Sequence, residues 1–335
     1  MNIRDIGEFG LIAKIKELVS APSENVLLGI DDDAAAIELP DGQILLLTTD
    51  ALLEGIHFDL SYFNFYKLGW RALAASISDI AAMGGQPQYA LVTLSVPPDL
   101  SVENVTELVR GMKDLASTYQ TSIVGGDTIE SPDKMQVSVT VTGLVAKDDL
   151  VPRSGARIGD TVFVTGCLGG AQAGLKVLKS SGCNRKLQTH VIDKHLPPKP
   201  RVEEARFLVE NFSIHSMIDI SDGLASEIHH ICQQSHVGAE LIAEQIPIES
   251  ETESVAEHFG EAVLEYALYG GEDFELLFTA PEERVAEICE QLHWRFGLSC
   301  TKIGRITRES KGIVLEMPDG KRRELSRGYR HFLTG

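Results

Sequence analysis

The chain has 335 residues, 43% of them hydrophobic, and carries a formal charge of −19 at pH 7 with a pI near 4.9. Its length suits two domains, and its apolar content supports a sizeable core, which argues against global disorder. The acidic balance argues against a nucleic-acid or anionic-membrane surface, both of which need clustered Lys and Arg. Phosphate substrates stay open, provided that cations supply the missing positive charge.

Arg4, Asp5, Glu8, Lys14 and Lys16 stand where a secretory signal would need an unbroken apolar stretch. No run approaches the roughly 20 apolar residues of a membrane span. The five cysteines are scattered and contain no C-x-x-C pair, which suits ordinary thiols in a reducing compartment. The expected location is the cytoplasm.

In chain order, Leu11, Ile12, Ile15, Leu18 and Val19 share one helical face, so the chain opens on a short amphipathic helix. QILLLTTD (43–50) reads as a buried strand, and the Ala-rich segment from Phe65 to Met83 as a long helix stopped by Gly84-Gly85. YALVTLSVP (89–97) is a strand, and 101–120 a helix with Ser101 as its N-cap. TSIVGGD (121–127) reads as a short strand running into a glycine turn, and MQVSVTVTGLV (135–145) alternates as a strand does. The charged, turn-rich stretch 147–160 marks a domain boundary, giving domains of 1–147 and 148–335. Strands and helices recur beyond it (DTVFVTG, GGAQAGLKVLKS, SMIDISDG, FELLFTA) without strict alternation, which favours α+β in both halves.

Aspartates gather where apolar segments end. LLLTTD ends in Asp50, VGGD in Asp127, MIDISDG carries Asp219 and Asp222, Asp79 lies near the end of the long helix, and Asp33 closes the run GIDDD. A turn or a helix cap is the ordinary explanation for any one of them. As a set they are costly to bury alone, and hard cations such as Mg²⁺ take such carboxylates together with hydroxyls and substrate phosphates. Thr48, Thr49, Ser78 and Ser221 lie beside them as further oxygen donors. No P-loop is present, since the glycine-rich GCLGGAQAG (166–174) lacks the G-K-[ST] ending. Arg153 is the first candidate for a supporting cation, with an exposed linker charge as the equal alternative. An EF-hand from Asp31 fails at Ala35 and Ala36, and a D-x-D-x-[TV] phosphatase fails at Ala35. A lone His57 is more often a core histidine than a base or ligand.

Taken in order, GEFGLIAKI (7–15), GIDDDAAAI (29–37), TTDALLEGIHF (48–58), SDIAAMGGQP (78–87), VGGDT (124–128), RSGARIGD (153–160), VTGCLGG (164–170), IDISDGL (218–224), GGEDFELLFT (270–279) and GYRHF (328–332) resemble the thiamine-monophosphate kinase family. That family is part of the superfamily that includes AIR synthetase, and the match runs nearly end to end. The resemblance implies a two-domain, AIR synthetase-like α+β protein whose N-terminal domain forms a homodimer. It implies ATP-dependent, Mg²⁺-dependent phosphorylation of thiamine monophosphate to thiamine diphosphate, by direct transfer of the γ-phosphoryl group with no covalent enzyme intermediate. Position by position, Asp33, Thr48, Thr49, Asp50, Asp79, Asp127, Asp219 and Asp222 match the family's metal ligands. Gly126, Asp127, Arg153 and Ser221 match ATP contacts, and His57, Glu272 and Tyr329 match positions around thiamine monophosphate. ATP and a phosphomonoester together carry about five or six negative charges, which several cations must neutralise before an acceptor oxygen approaches.

Asp31 departs from the family pattern, which has Gly-Asp-Asp where this chain has three aspartates, so a positive φ there would fall on an L-residue. Relatives compete less well. Selenophosphate synthetase needs a reactive Cys near the N-terminus, whereas the first cysteine here is Cys167. The hydrogenase-maturation relative ends in a functional Cys, and AIR synthetase should lack His57 and Glu272 in these contexts. A non-catalytic Mg²⁺- or nucleotide-binding regulator is the alternative from another class.

Overall fold

The computed structural model describes residues 2–19, 23–180, 185–326 and 328. The first half runs α1 (Ile3–Val19), β1 (Val26–Leu28), β2 (Ala35–Glu38), β3 (Gln43–Leu53), α2 (Phe65–Ala82), β4 (Gln86–Val96), α3 (Val102–Thr118), β5 (Ser122–Glu130) and β6 (Gln136–Ala146). Its strands form one sheet in the order β1-β2-β3-β6-β4-β5, antiparallel except for the parallel β4–β5 pair that flanks α3.

The second half runs β7 (Thr161–Thr165), α4 (Gly170–Lys179), α5 (Arg185–His195), α6 (Val202–Asn211), β8 (Ser216–Asp219), α7 (Leu224–Ser235), β9 (Val237–Ile242), α8 (Ser250–Phe259), α9 (Val263–Tyr269), β10 (Leu276–Ala280), α10 (Val285–Phe296), β11 (Cys300–Arg308), β12 (Ile313–Glu316) and β13 (Arg322–Glu324). Its sheet has the order β13-β12-β9-β11-β7-β10-β8. The fold is α+β with a mixed sheet in each half. Among the described residues, no helix is long and apolar enough to cross a membrane.

The helix α2 lies at the centre of the first half because its sequence is small and apolar on nearly every side. Leu68, Leu73, Ile77 and Ile80 are fully buried, each contributing about 1.5–3 kcal/mol relative to exposure. Asn64 caps its N-terminus by accepting from the Lys67 N–H at 2.8 Å, and Gly84, at φ 76°, ends it. Two glycines let α2 and α3 touch backbone to backbone. A Cβ on Gly69 would lie 1.8 Å from the Leu108 carbonyl oxygen, and one on Gly111 would lie 1.9 Å from that of Tyr66.

One sequence expectation changes here. The strand β5 runs through Gly125 and Gly126 to Glu130, with no turn at the glycines. Glycine is needed because β5 presses against β4: a Cβ on Gly126 would sit 1.8 Å from the Val92 oxygen. The apolar face of α1 is open at its C-terminal end, where Leu18 and Val19 are 86% and 62% exposed, and the helix kinks at Gly7.

The first sheet is two-faced. Alternate residues of β3, β4 and β6 (Ile44, Leu46, Ala90, Val92, Val137, Val139 and Val141) are buried in the core that contains α2. The opposite face carries Leu47, Leu53, Tyr89, Leu91 and Ile129, all more than one-third exposed.

Candidate active site

The turn after β1 is shaped by its three aspartates, each in a different way. Asp31 has φ 109°, a left-handed backbone that an L-residue adopts only at a cost. Its carbonyl accepts from the Gln234 side chain and from Arg153 Nη1 at 3.4 Å, and its carboxylate pairs with Lys16 of α1. Asp32 turns back and accepts from the backbone N–H groups of Asp33 at 3.0 Å and Arg153 at 3.3 Å. Asp33 is left to point inward, 7% exposed. Arg153 donates to its Oδ1 through Nε at 3.0 Å and through Nη2, while Oδ2 is buried without a partner among the described residues.

Three further segments bring carboxylates to the same place. The alternation of β3 turns Thr48 and Asp50 to its core-facing side, α2 presents Ser76, Ser78 and Asp79 over one turn, and β8 ends in Asp219. Carboxylate oxygens of Asp33, Asp79 and Asp219 lie within 4.8 Å of one another. Hydroxyls hold the carboxylates in place. Thr48 donates to Asp79 at 2.6 Å, Ser76 to Asp50 at 3.0 Å, and Ser78 to Asp219 at 2.5 Å.

So many acids in a dry place cannot all stay ionised unaided. Burial, reinforced by the Asp33 charge, pushes Asp219 up to about 8. Burial and the charges of Asp50, Asp219 and Asp33 push Asp79 well above the ordinary carboxylate range. Asp33 and Asp50 are raised by burial, and Asp32 is pushed up to about 7 by burial and then by Asp33. Burial works against the charge of Arg153, but the Asp33 carboxylate outweighs it and keeps the guanidinium ionised. Either protons or a bound cation must therefore neutralise the cluster. The donors are all oxygens and one of them, Asp33 Oδ2, has no partner among the described residues, which fits a hard cation such as Mg²⁺.

Beside the cluster lies a groove of about 1000 Å³, lined by Phe9, Lys16, the 29–35 turn, Leu47 to Thr49, Arg153 and the α7 residues His230 and Gln234. That volume suits a nucleotide-sized molecule.

The other sequence-derived candidates are placed as follows. Ser221 and Asp222 lie half-buried on the loop after β8, between the cluster and α7. Thr49 and Asp127 belong to the open face of the first sheet. Thr49 lies opposite Thr140, bonding it hydroxyl to hydroxyl at 3.0 Å, and Asp127 pairs with Thr93 on the edge strand β5. With three strand steps between β3 and β5, Asp127 and Gly126 stand about 14 Å across the sheet from the β3 residues Thr48 and Asp50. His57 lies on the turn after β3, its Nδ1 accepting from the Leu53 N–H at 3.0 Å. Tyr329 lies outside the described residues.

Glu272 packs against α2. Its backbone is left-handed, at φ 74°, and its N–H donates to the Ser221 carbonyl at 2.7 Å, tying the GGEDFE and ISDG segments together. The glycine-rich turn at 166–174 does open a helix, α4, but two of the N–H groups at its start are taken by Asp273. That carboxylate accepts from Gly169 at 2.7 Å and Ala171 at 3.1 Å.

Sequence reasoning missed three residues. Arg71 is an arginine inside the Ala-rich buried helix α2, and that position was itself a signal, because a buried guanidinium must be paired. His195 and Glu227 gave less sign. Glu227 is buried behind the ISDG loop and accepts from the Asp222 N–H at 2.8 Å. Burial and the Asp222 charge push its carboxyl well above the usual range.

Residues 31–145 match the family model for the N-terminal domain of AIR synthase related proteins, and residues 157–316 match that for the C-terminal domain. The chain is 38% identical to thiamine-monophosphate kinase of Aquifex aeolicus over 99% of its own length and all of that protein. The chain belongs to the thiamine-monophosphate kinase family. It is 37% identical to the Bacillus subtilis thiamine-monophosphate kinase, covering 97% of this chain and 99% of that one. A solved structure of AaThiL complexed with AMPPCP and TMP superimposes with a TM-score of 0.85 at 37% identity, covering 99% of both chains.

Proposed function

We propose that this member of the family transfers the γ-phosphoryl group of ATP to thiamine monophosphate, giving thiamine diphosphate and ADP. The observation that carries the reading is the convergence of Asp33, Asp79 and Asp219 beside a nucleotide-sized groove with Arg153 at its edge. The relatives named thiamine-monophosphate kinase, and the neighbour complexed with AMPPCP and TMP, support it.

Asp33, Asp50, Asp79 and Asp219 would hold Mg²⁺, with Thr48 and Asp222 beside them. When bound, Mg²⁺ supplies the positive charge that two phosphate-bearing substrates require. The chain's own residues do the positioning. Thr48, Ser76 and Ser78 fix the directions of the carboxylates, and Arg153 faces the groove where donor phosphates would lie. The transfer is read as direct and in line, with Glu272, His57 and Tyr329 around the acceptor. The halves 1–147 and 148–335 would then divide the work, the first carrying most of the cluster and the second closing the acceptor side.

The open, apolar face of the first sheet supports a homodimer formed through it, since Leu47, Leu53, Tyr89, Leu91 and Ile129 are exposed in the single chain. Gly126 and Asp127 lie on β5, with Asp127 on that face. They are read as acting on the groove of the second copy, because within one chain they stand apart from the cluster. The test is to incubate the purified protein with Mg²⁺, ATP and thiamine monophosphate. Thiamine diphosphate and ADP in equal amounts are expected, and ATP binding without product would favour a non-catalytic regulator.

A further inference from the structure

Arg71 sits on α2 with its side chain 1% exposed, and its guanidinium is committed on two sides. Nη1 donates to the His195 carbonyl at 2.7 Å, and Nη2 pairs with Glu272 Oε1. The cation also lies 5.5 Å from the centre of the Phe63 ring, which packs on the His195 imidazole at 5.7 Å. The other Glu272 oxygen stands 3.3 Å from His195 Nδ1, at an angle that makes no hydrogen bond. The Glu272 side chain remains 30% exposed.

This arrangement changes what Glu272 offers a ligand. A bare carboxylate would draw in any cation. Here the buried guanidinium cancels its charge, and the adjacent imidazole is neutral, since burial and then Arg71 push its pKa down to about 2. What remains are oxygen lone pairs, fixed in direction by Arg71 and by the left-handed backbone at Glu272. The helix that holds Arg71 also carries Asp79, eight residues and about 12 Å further along one rigid rod. The acceptor end and the phosphate end of the site are thus set by the same element.

Resting on the kinase reading above, we infer that Arg71 is a positioning residue that makes Glu272 a neutral hydrogen-bond acceptor, selecting the uncharged amino-bearing ring of the acceptor over its cationic ring. Removing the guanidinium would leave a loose, uncompensated carboxylate that no longer favours the ring amine.

The test compares the parent protein with Arg71→Met, Arg71→Lys and Glu272→Gln. It uses thiamine monophosphate and the analogue in which the ring amine is replaced by a carbonyl oxygen. Steady-state KM for acceptor and for ATP is measured alongside calorimetric binding of acceptor in the presence of a non-hydrolysable ATP analogue. Arg71→Met should raise the acceptor KM and Kd by about tenfold or more and narrow the preference for the amine over the carbonyl analogue. The KM for ATP should stay unchanged, and Arg71→Lys should recover part of the loss. Glu272→Gln, at a partly exposed position, should show the same narrowed preference even where Arg71→Met fails to fold. An active parent whose folded variants keep acceptor affinity and analogue preference overturns the inference alone, as does an equal loss for acceptor and ATP. A parent that neither binds nor phosphorylates thiamine monophosphate overturns the kinase reading, and the inference falls with it.

Discussion

The Ser78 hydroxyl on α2 donates to the Asp219 carboxylate at the end of β8 across 2.5 Å. The two residues are 141 positions apart and belong to different halves, so the acidic cluster exists only when the halves are docked. Each half supplies acids that the other helps to hold.

Ser78→Ala removes one donor from a carboxylate that is 2% exposed. It should cost about 1–2 kcal/mol in urea denaturation and raise the Mg²⁺ concentration needed for half-maximal activity. Unchanged stability together with an unchanged Mg²⁺ requirement would mean that the contact does not organise the cluster.

The cluster also makes stability depend jointly on pH and on cation. The carboxyl of Asp219 titrates at about 8 in the folded chain against 3.8 as its ordinary value, and those of Asp33, Asp50 and Asp79 are raised with it. A raised folded-state pKa gives a contribution that is full below 3.8 and lost as pH rises through about 8. Cation-free protein should therefore lose stability between those values, and Mg²⁺ should restore it. The Mg²⁺-induced rise in Tm should be larger at about pH 8 than at about pH 5. Equal shifts at both would separate the cluster from cation binding.

Asp31 offers a test of backbone strain. Its left-handed φ disfavours any L-residue, whereas its ion pair with Lys16 is exposed and worth about 0–1 kcal/mol. Asp31→Gly should be neutral to about 1 kcal/mol stabilising and leave turnover intact, whereas Asp31→Ala should be destabilising by about 1 kcal/mol. Chemical denaturation of both variants checks the order, and the reverse order would show that the Asp31 side chain contributes more than its backbone costs.

The position of Asp127 separates action within a chain from action between chains. Asp79→Asn and Asp127→Asn should each be inactive. If Asp127 serves the second copy, refolding the two variants together in equal amounts should restore about a quarter of parental activity, because half the dimers then carry one intact site. No recovery from verified mixed dimers would place Asp127 in its own chain's site.

Much of this was legible in the sequence where local chemistry decides structure. The limits of α2 followed from an Ala-rich run stopped by a glycine, and the triad resolved as its neighbours required, with Asp33 turned inward and Asp32 capping. Charged residues at the ends of apolar segments announced Asp50, Asp79 and Asp219, because such groups need company when buried. What failed depends on long-range pairing. The glycines of β5 read as a turn because only the neighbouring β4 backbone explains them. The stripe on α1 read as one apolar face, and periodicity shows a face without showing what covers it. Arg71 and Glu272 are 201 positions apart (272 − 71), and no local pattern joins them.

The most direct measurement is a single-turnover reaction with ATP labelled at the γ-phosphoryl group, purified protein, Mg²⁺ and thiamine monophosphate, resolved into free and protein-bound label. The account predicts that label appears in thiamine diphosphate at the rate ADP forms, that none stays on the protein, and that Asp79→Asn abolishes transfer. Label held covalently on the protein, or ATP bound without any thiamine diphosphate formed, would contradict it.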